Sequence, residues 1–292
     1  MVFEDLTSSR SLQPSNDLQL DTPEQIILIT SLYRTYQRLL IFAAILLTTT
    51  SLVADSVSVR RFQGTLHGFL VLRTLDGNVL AIGDLVQVAH GDRVVSDLTY
   101  RFRDGSLDEE TTVFTQHKIF QLISDHHIQR GPSFPKPLDV LVNAATGQVT
   151  SRDKDSKITQ DHFDLDPDVC NGLPMTLLLN LDPAGPPTRL SMVAPTSKPR
   201  LVHLVVTSDG EENFSIGGVR HKATNFRIKI ELGGIAGAVA PIVGKQPADV
   251  HVWVLGGEAP AFVKEEGQFY EGGPIWRVEL ISPVFPTLAN PK

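Results

Sequence analysis

The chain has 292 residues, a net charge of −7, 41% hydrophobic residues and 20% charged ones, the proportions of a globular protein with room for a sizeable core. Both signs of charge are interspersed and no basic stripe appears, so a phosphate backbone has nothing to hold and nucleic acid is not an expected partner. The single cysteine, Cys170, excludes an internal disulfide; an isolated thiol of this kind reads as a buried small hydrophobe.

Residues 1–22 are polar and aperiodic, with too little apolar surface to offset ordering entropy, and are expected to form a disordered tail. Thr22, Pro23 and Gln25 have the spacing of a helix start. Arg34 and Arg38 then precede an uncharged run from Leu39 to Ala54 that passes from apolar to small and polar residues, the order of a secretory signal. Residues 23–54 are therefore expected to be a helical signal peptide, with cleavage after Ala54, or a retained signal anchor. The run is slightly short of the roughly 17–25 residues that a spanning helix needs, which favours export to the periplasm or beyond. The membrane would be touched only through this segment, and then only if it stays uncleaved.

Residues 55–292 read as one β-rich domain. Leu66–Leu75 and Val79–Val88 flank Asp76-Gly77-Asn78, a hairpin signal. Leu98, Tyr100 and Phe102 alternate with polar residues before Asp104-Gly105, and Thr111–Leu122 reads as the partner strand across an acidic loop through Asp108, Glu109 and Glu110. The prolines of Gly131–Pro137 restrict that stretch to an extended connection. Leu138–Val142 and Gln148–Thr150 form a third hairpin. Asp166–Leu181 is the one helical region, split by Gly172 and Pro174 and stopped by Asp182–Pro187. Leu190–Val193 and Leu201–Val206 follow as strands, with a turn expected at Asp209-Gly210.

Ile216–Leu280 holds half of the 22 glycines. Phe226, Ile228, Ile230 and Leu232 alternate with Asn225, Arg227, Lys229 and Glu231, which predicts a half-buried antiparallel strand. Ile235–Val243 is broken by Pro241 and makes a poor central strand. Val250–Leu255 is apolar on both faces and should be covered on both. Gly272-Gly273-Pro274 turns the chain into a last strand, Ile275–Leu280.

Ile216-Gly217-Gly218, Ala223–Glu231, Val252-Trp253-Val254 and Trp276–Leu280 resemble the closing strands of uncharacterised bacterial secreted or periplasmic domains of unknown function, whose β half-barrel is like that of the LolA and LolB lipoprotein carriers. The likeness spans roughly residues 62–282. It implies a mainly β fold: a curved antiparallel sheet, a half-barrel or incomplete barrel, with one short embedded helix, preceded by the N-terminal signal or anchor helix. It implies an apolar concave face and no catalytic residue.

No nucleophile elbow, phosphate loop or dinucleotide fingerprint is present, and neither a cofactor nor a metal is expected. The carboxylates of Asp161–Asp168 lack the glycine and terminal Glu of a calcium loop. His126 and His127 are adjacent, and adjacent residues of a strand face opposite ways, so they do not make a zinc pair and read as a polar strand edge. The expected ligand-contacting residues are Trp253, Trp276, Phe226 and Ile228. The resulting expectation is a non-enzymatic exported envelope protein that binds an apolar small molecule or lipid, or an envelope protein, on its concave face. The alternatives are a hydrolase using Asp161–Asp168 or converging His203, His221 and His251, and a structural component of an envelope complex.

Overall fold

The computed structural model describes residues 55–153, 155–196, 198–232 and 246–283. The tail and signal segment expected over 1–54, and the stretch 233–245, lie outside the described residues. The chain divides into two compact units, Met1–Leu52 and Val53–Lys292, and every element below belongs to the second. Among the described residues its strands are β1 (Leu66–Thr74), β2 (Val79–His90), β3 (Arg93–Phe102), β4 (Leu107–Gln116), β5 (Phe120–Arg130), β6 (Leu138–Asn143), β7 (Gln148–Arg152), β8 (Ile158–His162), β9 (Thr188–Ala194), β10 (Arg200–Ile216), β11 (Val219–Glu231), β12 (Val250–Leu255), β13 (Ala261–Gln268) and β14 (Ile275–Leu280), with one short helix, α1 (Pro174–Leu178), between β8 and β9.

All fourteen strands form one antiparallel sheet in the order β8 to β1, then β14 to β9. Each strand pairs with its sequence neighbour, and the single long-range pairing, β1 with β14, sets Leu70 opposite Leu280 and Leu72 opposite Val278. The first and last strands therefore meet in mid-sheet, while the two edges, β8 and β9, come from the middle of the chain. The sheet is not closed through these edges, but it curls back on itself. Its main core joins Val94, Phe114, Phe120 and Val140 from β3 to β6 with Leu190, Leu204, Phe226, Ile228 and Val252 from β9 to β12, strands too far apart in the order to touch across a flat sheet. This is the mainly β, incomplete-barrel fold the sequence predicts.

The two ends of the interior are filled differently. At one end, Leu173, Leu177 and Leu178 of α1 and its entry pack into the main core. At the other, Phe134, only 2% exposed, descends from the proline-rich connection among Phe102, Tyr270 and Trp276, in a second cluster with Leu70, Leu72, Tyr100 and Val278.

The segment before α1 seals the β9 edge. Cys170 N–H donates to the Ser191 carbonyl at 2.9 Å, Val169 bridges Ser191 in parallel, and the Asn171 side chain imitates a strand, donating to the Val193 carbonyl at 2.8 Å and accepting its N–H at 2.9 Å. Edge groups that would otherwise be orphaned inside the protein are thereby satisfied. Gly172 then turns with φ +66° against Thr112 of β4 and Asp125 of β5, where no side chain fits. Cys170 is fully buried.

Several boundaries differ from expectation. Asp108–Glu110 lie within β4, not in an acidic loop, and Thr111–Leu122 spans parts of β4 and β5. His126 and His127 sit in the interior strand β5, paired on both sides, instead of at an edge. Asp209-Gly210 is a bulge inside β10, and the true reversal is Gly217-Gly218 at φ +57° and +85°, the two-residue turn whose twist matches a hairpin. β13 carries no clean alternation, and its strand is set by pairing with β12 and β14. The helical region contracts to five residues.

Gly172→Ala is expected to cost roughly 2–5 kcal/mol in urea unfolding, the sum of a left-handed backbone penalty and overpacking against β4 and β5. Gly217→Ala has a similar φ but open space around its Cβ, and should cost only about 1–2 kcal/mol. Equal losses would show that Gly172 is not a packing contact.

Candidate functional site

Between the two apolar clusters lies a layer of titratable side chains. Strand alternation puts Asp108, Glu110 and Thr112 of β4 on the inner face with Phe114, and Asp125, His127 and Gln129 of β5 beside them; the register sets Asp108 opposite Gln129, Glu110 opposite His127 and Thr112 opposite Asp125. Glu265 arrives from β13, flanked by the buried core residues Val252 and Val278. Tyr100 of β3 stands beside Asp108.

One pair organises the layer. His127 Nε2 donates to Asp108 Oδ1 at 2.8 Å, and Gln129 Nε2 donates to Asp108 Oδ2 at 3.1 Å and to the Phe269 carbonyl at 2.8 Å. The second of these bonds ties β5 to the β13–β14 connection across the interior. The Thr112 hydroxyl donates to Asp125 Oδ1 at 3.1 Å. Glu110 and Glu265 make no side-chain hydrogen bond to a described residue. Both sit on the inner face beside buried residues yet keep part of their surface exposed.

Burial of so many acids near one imidazole shifts their protons. Burial alone would lower the His127 pKa, but the charge and hydrogen bond of Asp108, joined by Glu110 and Asp125, overcome it and raise it to about 9. His127 is therefore an imidazolium at neutral pH. Burial pushes Glu265 up to about 7, with the charge of Glu110 adding to it. Burial likewise raises Asp125, reinforced by Glu110 and opposed by His127 and the Thr112 hydroxyl, and raises Glu110 against the pull of His127. The Tyr100 phenol is raised by burial and by Glu265, Asp108 and Glu110. Chemically, such a layer can hold and exchange protons near neutrality and can supply a negative counter-charge. Among the described residues no three His, Cys, Asp or Glu side chains are arranged to hold a metal ion.

The residues singled out from sequence do not assemble into one site. Phe226 and Ile228 pack in the main core, and Trp276 lies in the aromatic cluster at the Phe134 end. Trp253 points to the opposite face from Val252 and Val254, with the Lys264 ammonium 3.7 Å over its ring. His126 turns outward to Asp139 at 2.9 Å while His127 turns inward, as alternation requires. His221 stacks on Phe214 near the end of a hairpin and His251 meets Asn225 on the Trp253 face; with His203 on β10, these three do not converge. Asp161 lies on β8 and Asp168 is buried beneath β9, its pKa raised by burial.

No protein-family model matches the chain, and no curated protein is similar to it in sequence. Among solved structures it is similar to a β-barrel-like protein of the domain of unknown function DUF1849 from Brucella abortus, with a TM-score of 0.45 and 8% sequence identity over 75% of this chain and 96% of that one.

The interior layer makes stability fall as pH rises. A carboxyl whose folded pKa exceeds its unfolded value holds its proton more tightly when folded, so the stability from Glu265 is full below 4.5 and lost by about 7. His127 is raised from 6.5 to about 9, so its contribution is full below the lower value and gone above the higher. Thermal melts from pH 5 to 9 should show a declining Tm. Glu265→Gln should remove the part of the decline below neutrality and gain about 1–3 kcal/mol at pH 8, whereas His127→Asn should flatten the part above. An unchanged profile in Glu265→Gln would show that this carboxyl is not buried in the folded protein.

Proposed function

We propose that this domain is a non-enzymatic binding module of the cell envelope, exported by its N-terminal segment, and that its inner face takes a ligand with an apolar body and a cationic group. The observation that carries the reading is the state of Glu110 and Glu265. Among the described residues both of these inner-face carboxylates lack a side-chain hydrogen-bond partner, and the cation beside them, His127, is already engaged by Asp108. An unpaired buried carboxylate costs several kcal/mol, unless it keeps its proton or gains a counterion. The half-buried Leu85 and Leu98 adjoin Glu110 through the register of β2, β3 and β4, and Phe262 lies on the same inner surface. Apolar side chains around carboxylates suit an amine on a hydrocarbon body better than a neutral lipid. Export is supported by the basic flank and uncharged run that precede the domain.

The test compares dodecylamine, dodecanol and dodecanoate by isothermal titration and native mass spectrometry. The amine is expected to bind at least about tenfold more tightly, which is 1.4 kcal/mol. Because the bound cation favours ionised Glu265, affinity should rise between pH 6 and pH 8. Glu110→Gln with Glu265→Gln should erase the preference for the amine. Equal binding of all three probes would leave only the apolar part of the proposal, and no binding of any would overturn it.

A further inference from the structure

The hairpin of β10 and β11 outruns the sheet. β9 stops pairing with β10 at Val206, and β12 stops pairing with β11 at Ala223, while β10 and β11 continue together to Ile216 and Val219. The last pairs, from Asn213 with Lys222 to Ile216 with Val219, therefore form a two-stranded arm with both sides free. Cross-strand register gives the arm two unlike faces. Phe214, Ile216, Val219 and His221 lie on one, and Ser215, Arg220 and Lys222 on the other. Ile216 and Val219 are 64% and 60% exposed, an unusual place for two β-branched aliphatics at the tip of a turn. Residues 213–222 contain Arg220, Lys222 and His221 and no acid, although the chain as a whole is acidic. Lys222 is engaged by Glu211 at 3.0 Å; Arg220 makes no ion pair with a described residue.

A surface of the opposite character lies on the outer side of the same sheet. Asp97, Thr99, Glu109, Thr111, His126 and Ile128 line an open depression of about 320 Å³ on β3, β4 and β5, and Leu98 and Glu110 also belong to its lining. Asp97 accepts a hydrogen bond from Thr111 at 2.7 Å, and neither Asp97 nor Glu109 pairs with a cation among the described residues. Beside the pocket, β1 and β2 expose Phe69, Ile82 and Val86 outward. The arm cannot reach this pocket on its own molecule. Five strands separate β3 from β11 in the sheet, the pocket opens on the face away from the interior around which the sheet curls, and the arm is a hairpin directed along its own strands.

We propose that the arm tip docks into the outer pocket of a second copy of this chain, so that two molecules exchange arms about a two-fold axis. Inserted tip first, the arm turns its Ile216 and Val219 face toward Phe69, Ile82 and Val86 on β1 and β2, and its opposite face, with Arg220, toward Asp97 and Glu109 on β3 and β4. Because the exchange is about a two-fold axis, it closes after two molecules; the same contact repeated head to tail would instead give larger rings or filaments. Of the interior carboxylates only Glu110 belongs to the lining of this site, and the charge contacts proposed here are made by Asp97 and Glu109.

The test is sedimentation equilibrium of the full chain, up to about 100 μM, a range that reports Kd values in the micromolar regime. A dimer is expected, weakened by salt because the contact includes charge pairs. Ile216→Asp with Val219→Asp should raise Kd at least tenfold with an unchanged thermal melt, since both side chains are exposed. Glu109→Arg should weaken the dimer similarly, and Arg220→Glu added to Glu109→Arg should recover most of the loss. Dodecylamine binding should be the same in all these variants, which separates this interface from the interior site. A monomer at every concentration, a dimer indifferent to the tip substitutions, or a tip that binds anionic phosphatidylglycerol vesicles while the chain stays monomeric would each overturn the proposal.

Discussion

The interior of this domain is organised by the ion pair between His127 and Asp108. Two apolar clusters close the two ends, and between them four carboxylates come from β4, β5 and β13. Four ionised acids in such surroundings would repel one another and lose their hydration, so the layer persists only if protons or cations are retained. His127 supplies one positive charge, held at 2.8 Å by Asp108. Raised proton affinities on Glu110, Asp125 and Glu265 supply the rest. Asp108 keeps its position because Gln129 bonds both its other oxygen and the Phe269 carbonyl. The same amide thus joins the electrostatic centre to the far wall of the sheet.

The fold depends on local connections more than on distant ones. Every strand but one pair is adjacent in sequence to its partner, and turn residues such as Gly77, Gly105, Gly217 and Gly272 fall at reversals with positive φ. This is why so much of the sheet was legible from the chain alone. Alternation marked β11 at Phe226, Ile228 and Ile230, and Asp76-Gly77 marked the first hairpin. What alternation cannot reveal is a strand whose inner face is polar. In β4 the inward residues are Asp108, Glu110 and Thr112, and in β5 they are Asp125, His127 and Gln129. Both inverted the usual pattern, so the acids of β4 read as a loop and the histidine of β5 as a strand edge. A usable signal was present, however. Two successive segments carrying polar residues at a spacing of two, the first of them closing on Phe114 on the same face, are what a polar layer inside a sheet requires.

The candidate ligand residues illustrate the same limit from the other side. Trp253, Trp276, Phe226 and Ile228 are all largely buried, as their chemistry suggests. Period two already separates Trp253 from Val252 and Val254, and the register then gives it to the opposite face, where Lys264 covers its ring and in turn bonds Glu266, which also holds Arg277 at 2.8 Å. Burial therefore does not identify a common cavity. An aromatic side chain on a strand buried on both faces has two ways to be covered, and only the pairing partners decide between them.

The two sheet edges show how differently one fold can treat equivalent groups. At β9 the segment Asp168–Asn171 adds a parallel bridge and an asparagine that reproduces a strand's donor and acceptor, and Gly172 fixes it against Thr112 and Asp125. That contact places the sealed edge directly on the titratable layer: the backbone turn at Gly172 presses on Asp125, whose proton affinity is raised by burial and by Glu110. The Asp125 carboxyl thus lies next to the turn that joins the β9 edge, through Gly172 and Leu173, to α1. The edge seal and the proton-holding layer share one contact, and the tightness of Gly172 follows from their need to share it: a residue with a side chain there would separate the carboxyl layer from the segment that keeps water off β9.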